Sequence, residues 1–175
     1  MTASPKRYSP LWVTIHWLVA ILIFVTFYFG ISTEEADSAT KVSLLRWHMP
    51  LGISVILLML VRLSLRWRAP RPAPADAGHP LLNTIGAWTH ALLYVLAFLV
   101  PLTGFLLSAA NNLAPVVFGG QGELPAGLQA GLHGALPSLL ALLILLHILA
   151  ALYHQFIRRD RSEERRVGKE CRSRW

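Results

Sequence analysis

Apolar residues dominate four stretches of the chain and polar ones collect between them. The first stretch runs from about Leu11 to Ile31, the second from about Leu44 to Leu65. The third runs from about Leu81 or Trp88 to Ala109, and the fourth from about Leu128 to Ile157. At 1.5 Å per residue each is long enough to cross roughly 30 Å of hydrocarbon. Lipid offers the backbone no hydrogen-bond partners, so each stretch must satisfy its own peptide groups as a helix. The expected fold is an all-α integral membrane protein, a four-transmembrane-helix bundle. The first stretch is too long for a signal-peptide core and no small-residue cleavage site follows it, so it is read as a retained span. No internal repeat is visible, which argues against a duplicated transporter.

The polar segments set an orientation. Lys6 and Arg7 precede the first span, Arg66, Arg68 and Arg71 lie between the second and third, and Arg158 and Arg159 follow the fourth. Four crossings put all of these on one side. Glu34, Glu35, Asp37 and Glu123 fall on the other, with Lys41 and Arg46 as the basic exceptions. The positive-inside rule then predicts both termini in the cytoplasm. Pro70, Pro72, Pro74 and Pro80 predict an ordered, non-helical connector.

Composition agrees with a bilayer as solvent. Only 14% of residues are charged and 54% are hydrophobic, against about 25% charged in a soluble domain; the mean hydropathy is +0.50. The net charge of +7 is spread over loop clusters rather than one continuous face, which speaks against nucleic-acid binding. The last fifteen residues, RSEERRVGKECRSRW, have no apolar periodicity and are similar to the in-frame translation of a sequencing-adapter oligonucleotide. Residues 161–175 are therefore expected to be a non-native tail, with the natural C-terminus missing, and residues 8–159 to form the transmembrane domain. The tail contributes +3 of the charge and holds Cys171, the single cysteine. Without thiols the domain has no route to disulfides, iron–sulfur clusters or covalent haem attachment.

Six of the seven histidines lie in or at the edges of spans: His16, His48, His90, His133, His147 and His154. Ionisable groups at membrane depth are costly and mark function, although a single interfacial histidine beside tryptophan, as at His16–Trp17 or Trp47–His48, is often an anchor. His16 lies roughly 8 Å inside the cytoplasmic edge. His147 reaches a similar depth, while His48 and His133 open their spans on the outer side. His133 and His147 are fourteen residues apart, about 21 Å and nearly four turns, so both occupy one helix face. Two cross-helix pairs result, His16 with His147 and His48 with His133. Two neutral axial imidazoles and an apolar slot are what a low-spin haem b needs, so the expected cofactors are two non-covalent haem b groups with these four residues as iron ligands.

The remaining polar residues divide around that scheme. His154 shares the face of His147 and is the rival ligand. His90, with no imidazole left at its level, is expected to hydrogen-bond a haem propionate or line a quinone site, and His79 to be solvated. Gly52, four residues after His48, admits a flat ring or packs a helix. Arg46, and Arg62 or Arg66, pair with propionates or are topology charges that snorkel. Pro101 and Gly104 are expected to bend the third span.

The segments SPLWVTIHWLVA, RWHMPLGISVILLMLVRLSLRW, WTHALLYVLAFLVPLTG and GLHGALPSLLALLILLHILAALYHQF resemble, in order, the four spans of the bacterial cytochrome b561 family, which includes the cytochrome b subunits of nickel hydrogenases. The resemblance implies a di-haem inner-membrane protein that exchanges electrons with the quinone pool through ubiquinone, with axial ligands at His16, His48, His133 and His147. A member of the family oxidises superoxide at its outer face. Here the acidic loop TEEADSATK would repel that anion. Other expectations stay open: a cytochrome b anchor for a dehydrogenase or hydrogenase partner, a histidine-based proton or metal transporter, and a purely structural anchor. No Rossmann glycine fingerprint is present, so direct NADH oxidation is not expected.

Overall fold

A computed structural model describes residues 8–68, 77–125, 128 and 131–158. Lys6, Arg7, Arg71, Arg159, the prolines at 70, 72 and 74 and the 161–175 tail lie outside the described residues.

Local chemistry starts each helix. Ser9 caps α1 (Pro10–Ile31): its hydroxyl accepts from the Trp12 N–H at 3.4 Å and Pro10 occupies the first turn. Asp37 caps α2 (Ser38–Arg68), accepting from the Thr40 N–H at 2.9 Å and the Thr40 hydroxyl at 3.0 Å. These bonds, the backbone one foremost, hold its carboxyl below the ordinary range. His79 caps α3 (Pro80–Ala110), with Nδ1 accepting from the Leu81 N–H at 3.2 Å. The expected solvated loop histidine is thus a helix cap. A short α4 (Leu113–Gly119) follows, entered through Asn112 at φ 50° and left through Gly120 at φ 63°. α5 (Gly131–Leu152) runs on into a π-helical turn, Tyr153–Arg158.

α1, α2, α3 and the α5 segment to Ile157 are each long and apolar enough to span a membrane. The long helices pack α1 on α2, α2 on α3 and α3 on α5. The core is small and apolar: Ile15, Val19, Val55, Met59 and Ala97 are buried together, flanked by Tyr94 and Phe98. Most large apolar side chains, such as Leu57, Phe105 and Leu145, point outward. That exposure fits a surface solvated by acyl chains. Between α1 and α5 lies an apolar cleft of about 210 Å³, lined by Ile23, Phe27, Pro137, Leu140, Ala141 and Ile144.

The sequence missed α4. It packs against α2 and α3 at the end of the bundle opposite Pro10 and Ile157, here called the distal end. Val117, in its last turn, is fully buried, and its carbonyl accepts from Arg46 Nε at 2.6 Å. The guanidinium meets the negative end of the helix dipole.

Candidate functional site

Two histidine pairs meet across the bundle at two heights. At the distal end the rings of His48 on α2 and His133 on α5 stand 5.9 Å apart between centres, inclined at 73°. Near the terminal end the rings of His16 on α1 and His147 on α5 stand 6.5 Å apart, inclined at 79°. Two metal–nitrogen bonds of about 2 Å, plus about 1 Å from each nitrogen to its ring centre, require centres roughly 6 Å apart. Both ring separations are of that size.

Both distal imidazoles are oriented by backbone. His48 Nδ1 lies 2.9 Å from the Thr26 carbonyl on α1, and His133 Nδ1 lies 2.9 Å from the Val100 carbonyl on α3. A carbonyl only accepts, so Nδ1 carries the proton and Nε2 keeps the lone pair a metal needs. Thr103 supports this arrangement. Its hydroxyl donates to the Val100 carbonyl at 2.7 Å and its oxygen stands 3.3 Å from His133 Nδ1.

A glycine stands one turn beyond each accepting carbonyl. A Cβ on Gly30 would lie 2.9 Å from His48 Cε1, and one on Gly104 only 2.6 Å from His133 Cε1. Helical Cβ atoms tilt toward the N-terminus, so any side chain there would intrude on the imidazole. These two glycines were not recognised as site residues in the sequence, although a glycine four residues past a carbonyl opposite a histidine is a usable signal. From the sequence, Gly104 is expected only to bend α3. Gly52 is less confined: a Cβ there would make ordinary contact with Pro101 at 3.9 Å.

The terminal level holds a third ring. His90 on α3 lies 5.0 Å from His147, nearly perpendicular at 85°, with Nδ1 2.7 Å from the Gly86 carbonyl of its own helix. His90 thus touches an imidazole that already faces His16, so no unpaired imidazole is left for it at this level. At 5.0 Å the two rings are in direct contact, closer than an intervening iron allows. His154 belongs to the π-helical turn, where its ring packs on Tyr153 at 6.0 Å. There the seven-residue spacing from His147 loses its α-helical phase.

Two arginines face aromatic rings at this end. The Arg62 guanidinium lies 5.3 Å from the Trp12 ring centre and 5.4 Å from that of Tyr94, and Arg66 lies 5.1 Å from Tyr94. Arg46 is committed to Val117 at the other end.

A membrane-spanning four-helix bundle with facing imidazoles at two depths is the architecture of a membrane-bound b-type cytochrome. The model of the family described as prokaryotic cytochrome b561 matches residues 7–165, and the chain belongs to that family. It is 30% identical over 179 residues to cytochrome b561 homolog 2 of Escherichia coli, covering 96% of this chain and 95% of that one. It is also 30% identical to cytochrome b562 of Cereibacter sphaeroides, covering 92% and 94% of the two chains. The probable superoxide oxidase CybB of Yersinia pestis is 27% identical, covering 94% and 98%. Membership makes this a multi-pass membrane protein of electron transport that uses b-type haem.

Proposed function

We propose that the chain carries electrons between a donor at its distal face and the quinone pool, holding two b haems, one at each histidine level. The observation that carries the reading is the pairing of four imidazoles into two facing couples at spacings of 5.9 and 6.5 Å. His48 and His133 hold the distal haem; His16 and His147 hold the terminal-side one. Bound haem supplies a one-electron ferric/ferrous couple.

The protein's own residues set the conditions for that couple. Thr26 and Val100 lock the distal tautomers, and a hydrogen-bonded Nδ1–H makes the coordinating nitrogen more basic. Gly30 and Gly104 leave room for the rings, and Ile23, Phe27, Leu140 and Ile144 keep water from the space between the levels. Gly52 and His90 border the two levels, Arg46 secures α4 at the distal one, and Arg62 supplies positive charge at the terminal one. Arg66 and Arg68 at the terminal end, against Glu34, Glu35 and Asp37 at the distal one, support termini on the cytoplasmic side of the inner membrane. Residues 8–159 form the working domain.

The test is a reduced-minus-oxidised spectrum of the purified chain with haem quantified per polypeptide, followed by reoxidation with a soluble ubiquinone. Two b haems per chain and quinone-dependent reoxidation are expected. A colourless protein overturns the reading in favour of a histidine-based proton or metal transporter, and reduced haem inert to quinone but oxidised by a partner protein favours an anchor subunit.

The resemblance to a probable superoxide oxidase supports a second reading, one-electron oxidation of superoxide to dioxygen at the distal face. Ubiquinone reduction driven by enzymatically generated superoxide tests it. The acidic distal loop, with Asp37 held ionised, opposes the approach of that anion.

A further inference from the structure

The geometry points to Trp12, Arg62, Tyr94 and Arg66 as the clamp for the propionate carboxylates of the haem at the His16–His147 level, an inference that rests on the haem reading above. Helix phase brings these residues to that level. Trp12 precedes His16 by four residues and Tyr94 follows His90 by four, so each shares a face with a histidine of the terminal cluster. Arg62 follows His48 by fourteen residues on α2, the same spacing that separates His133 from His147 on α5. Where α1 and α5 present imidazoles, α2 presents a cation on the face that carries the distal histidine.

The polar atoms of the cluster call for an acceptor. Trp12 is 7% exposed, and its indole N–H is buried without a hydrogen-bond partner, as is the Tyr94 hydroxyl. An indole N–H can only donate, and a buried donor without an acceptor is costly. The Arg62 guanidinium lies over both rings and Arg66 over the second. Clustered donors and positive charge select an anion that only accepts, and charge-assisted bonds from arginine suit a carboxylate. The propionates are the carboxylates of the porphyrin edge, and the cluster lies one turn from His16. A lipid phosphate offers the same oxyanion chemistry and is the rival source.

The experiment compares native haem with its dimethyl ester, reconstituted into the full chain in neutral-lipid and anionic-lipid nanodiscs. Trp12→Phe and Tyr94→Phe remove one donor each with little change of shape; Arg62→Gln removes the charge. A carboxylate left uncompensated favours ferric iron. Each variant is therefore expected to lower the potential of the terminal-side haem alone. For Arg62→Gln the expected change is about tenfold in the reduced-to-oxidised ratio at fixed potential, about 59 mV for one electron. With the ester the three variants should match the parent. Equal shifts with ester and native haem, or shifts seen only in anionic lipid, overturn the inference. So does an unchanged potential in both Trp12→Phe and Tyr94→Phe. In all these cases the haem reading stands; a parent chain with no haem at the His16–His147 level would overturn the reading itself.

Discussion

The backbone of Gly104 lies so close to His133 that a Cβ added there would stand 2.6 Å from the imidazole Cε1. Non-bonded carbon atoms do not tolerate that separation, so a side chain at 104 must push the ring off the Val100 carbonyl, 2.9 Å from its Nδ1. Gly30 and His48 repeat the relationship on α1 and α2 at 2.9 Å. The two antiparallel pairs, α1 with α2 and α3 with α5, thus solve one problem the same way: glycine clears the path from an imidazole to a carbonyl on the neighbouring helix.

Gly104→Ala is accordingly expected to weaken retention of the distal haem by about tenfold or more, the usual scale for disturbing a ligand's orienting partner. Gly30→Ala should do the same more mildly, because its contact is less severe. Haem-to-protein ratios after dialysis against apomyoglobin check both. A Gly104→Ala protein that keeps two haems with unchanged potentials would show that the imidazole is not constrained there.

Removing single histidines should empty the levels separately. His133→Ala is expected to lose the distal haem and keep the other; His147→Ala should do the reverse, and His154→Ala should retain both. The measurement is haem stoichiometry with low-temperature α-band spectra. Loss of haem from His154→Ala with His147→Ala unaffected would reverse the assignment.

His90 touches His147 without leaving room for a metal between them. His90→Ala should therefore retain both haems but free the rotation of His147, moving the low-field electron paramagnetic resonance signal of the terminal-side haem and leaving the distal signal in place. If His90→Ala empties that level while His16→Ala does not, His90 replaces His16 as the ligand.

The Asp37 cap predicts an acid-sensitive start to α2. Its folded pKa lies below the ordinary value of 3.8 because the Thr40 N–H, and then the Thr40 hydroxyl, donate to the ionised form. The stabilisation is complete above about 3.8 and is lost as pH falls through the folded value. Asp37→Ala should lower the melting temperature at pH 7, and the gap to the parent should narrow as the medium is acidified below 3.8. A gap independent of pH would mean that the ionised carboxylate does not cap the helix.

The chain's one-dimensional pattern determined a good deal. Four apolar stretches without backbone partners in lipid have to be helices, and their lengths match a bilayer. Helix rise and pitch then put His133 and His147 on one face at two depths, and the depths of His16 and His48 match them. These conclusions need only periodicity and the cost of an unsatisfied peptide group, so residue order alone yields them. Tertiary structure decided what lies between elements: the Thr26 and Val100 carbonyls that orient the distal imidazoles, Gly30 and Gly104 as their clearance, the contact of His90 with His147, and Arg46 bound to a carbonyl on α4. Those contacts join residues 18 to 71 positions apart. They depend on the rotation and offset of packed helices, which an almost uniformly apolar surface does not encode as a pattern. The seven-residue α4 was too short for hydropathy to reveal, and the π-helical turn at Tyr153 altered the phase of His154 in a way that a constant 3.6-residue repeat does not anticipate.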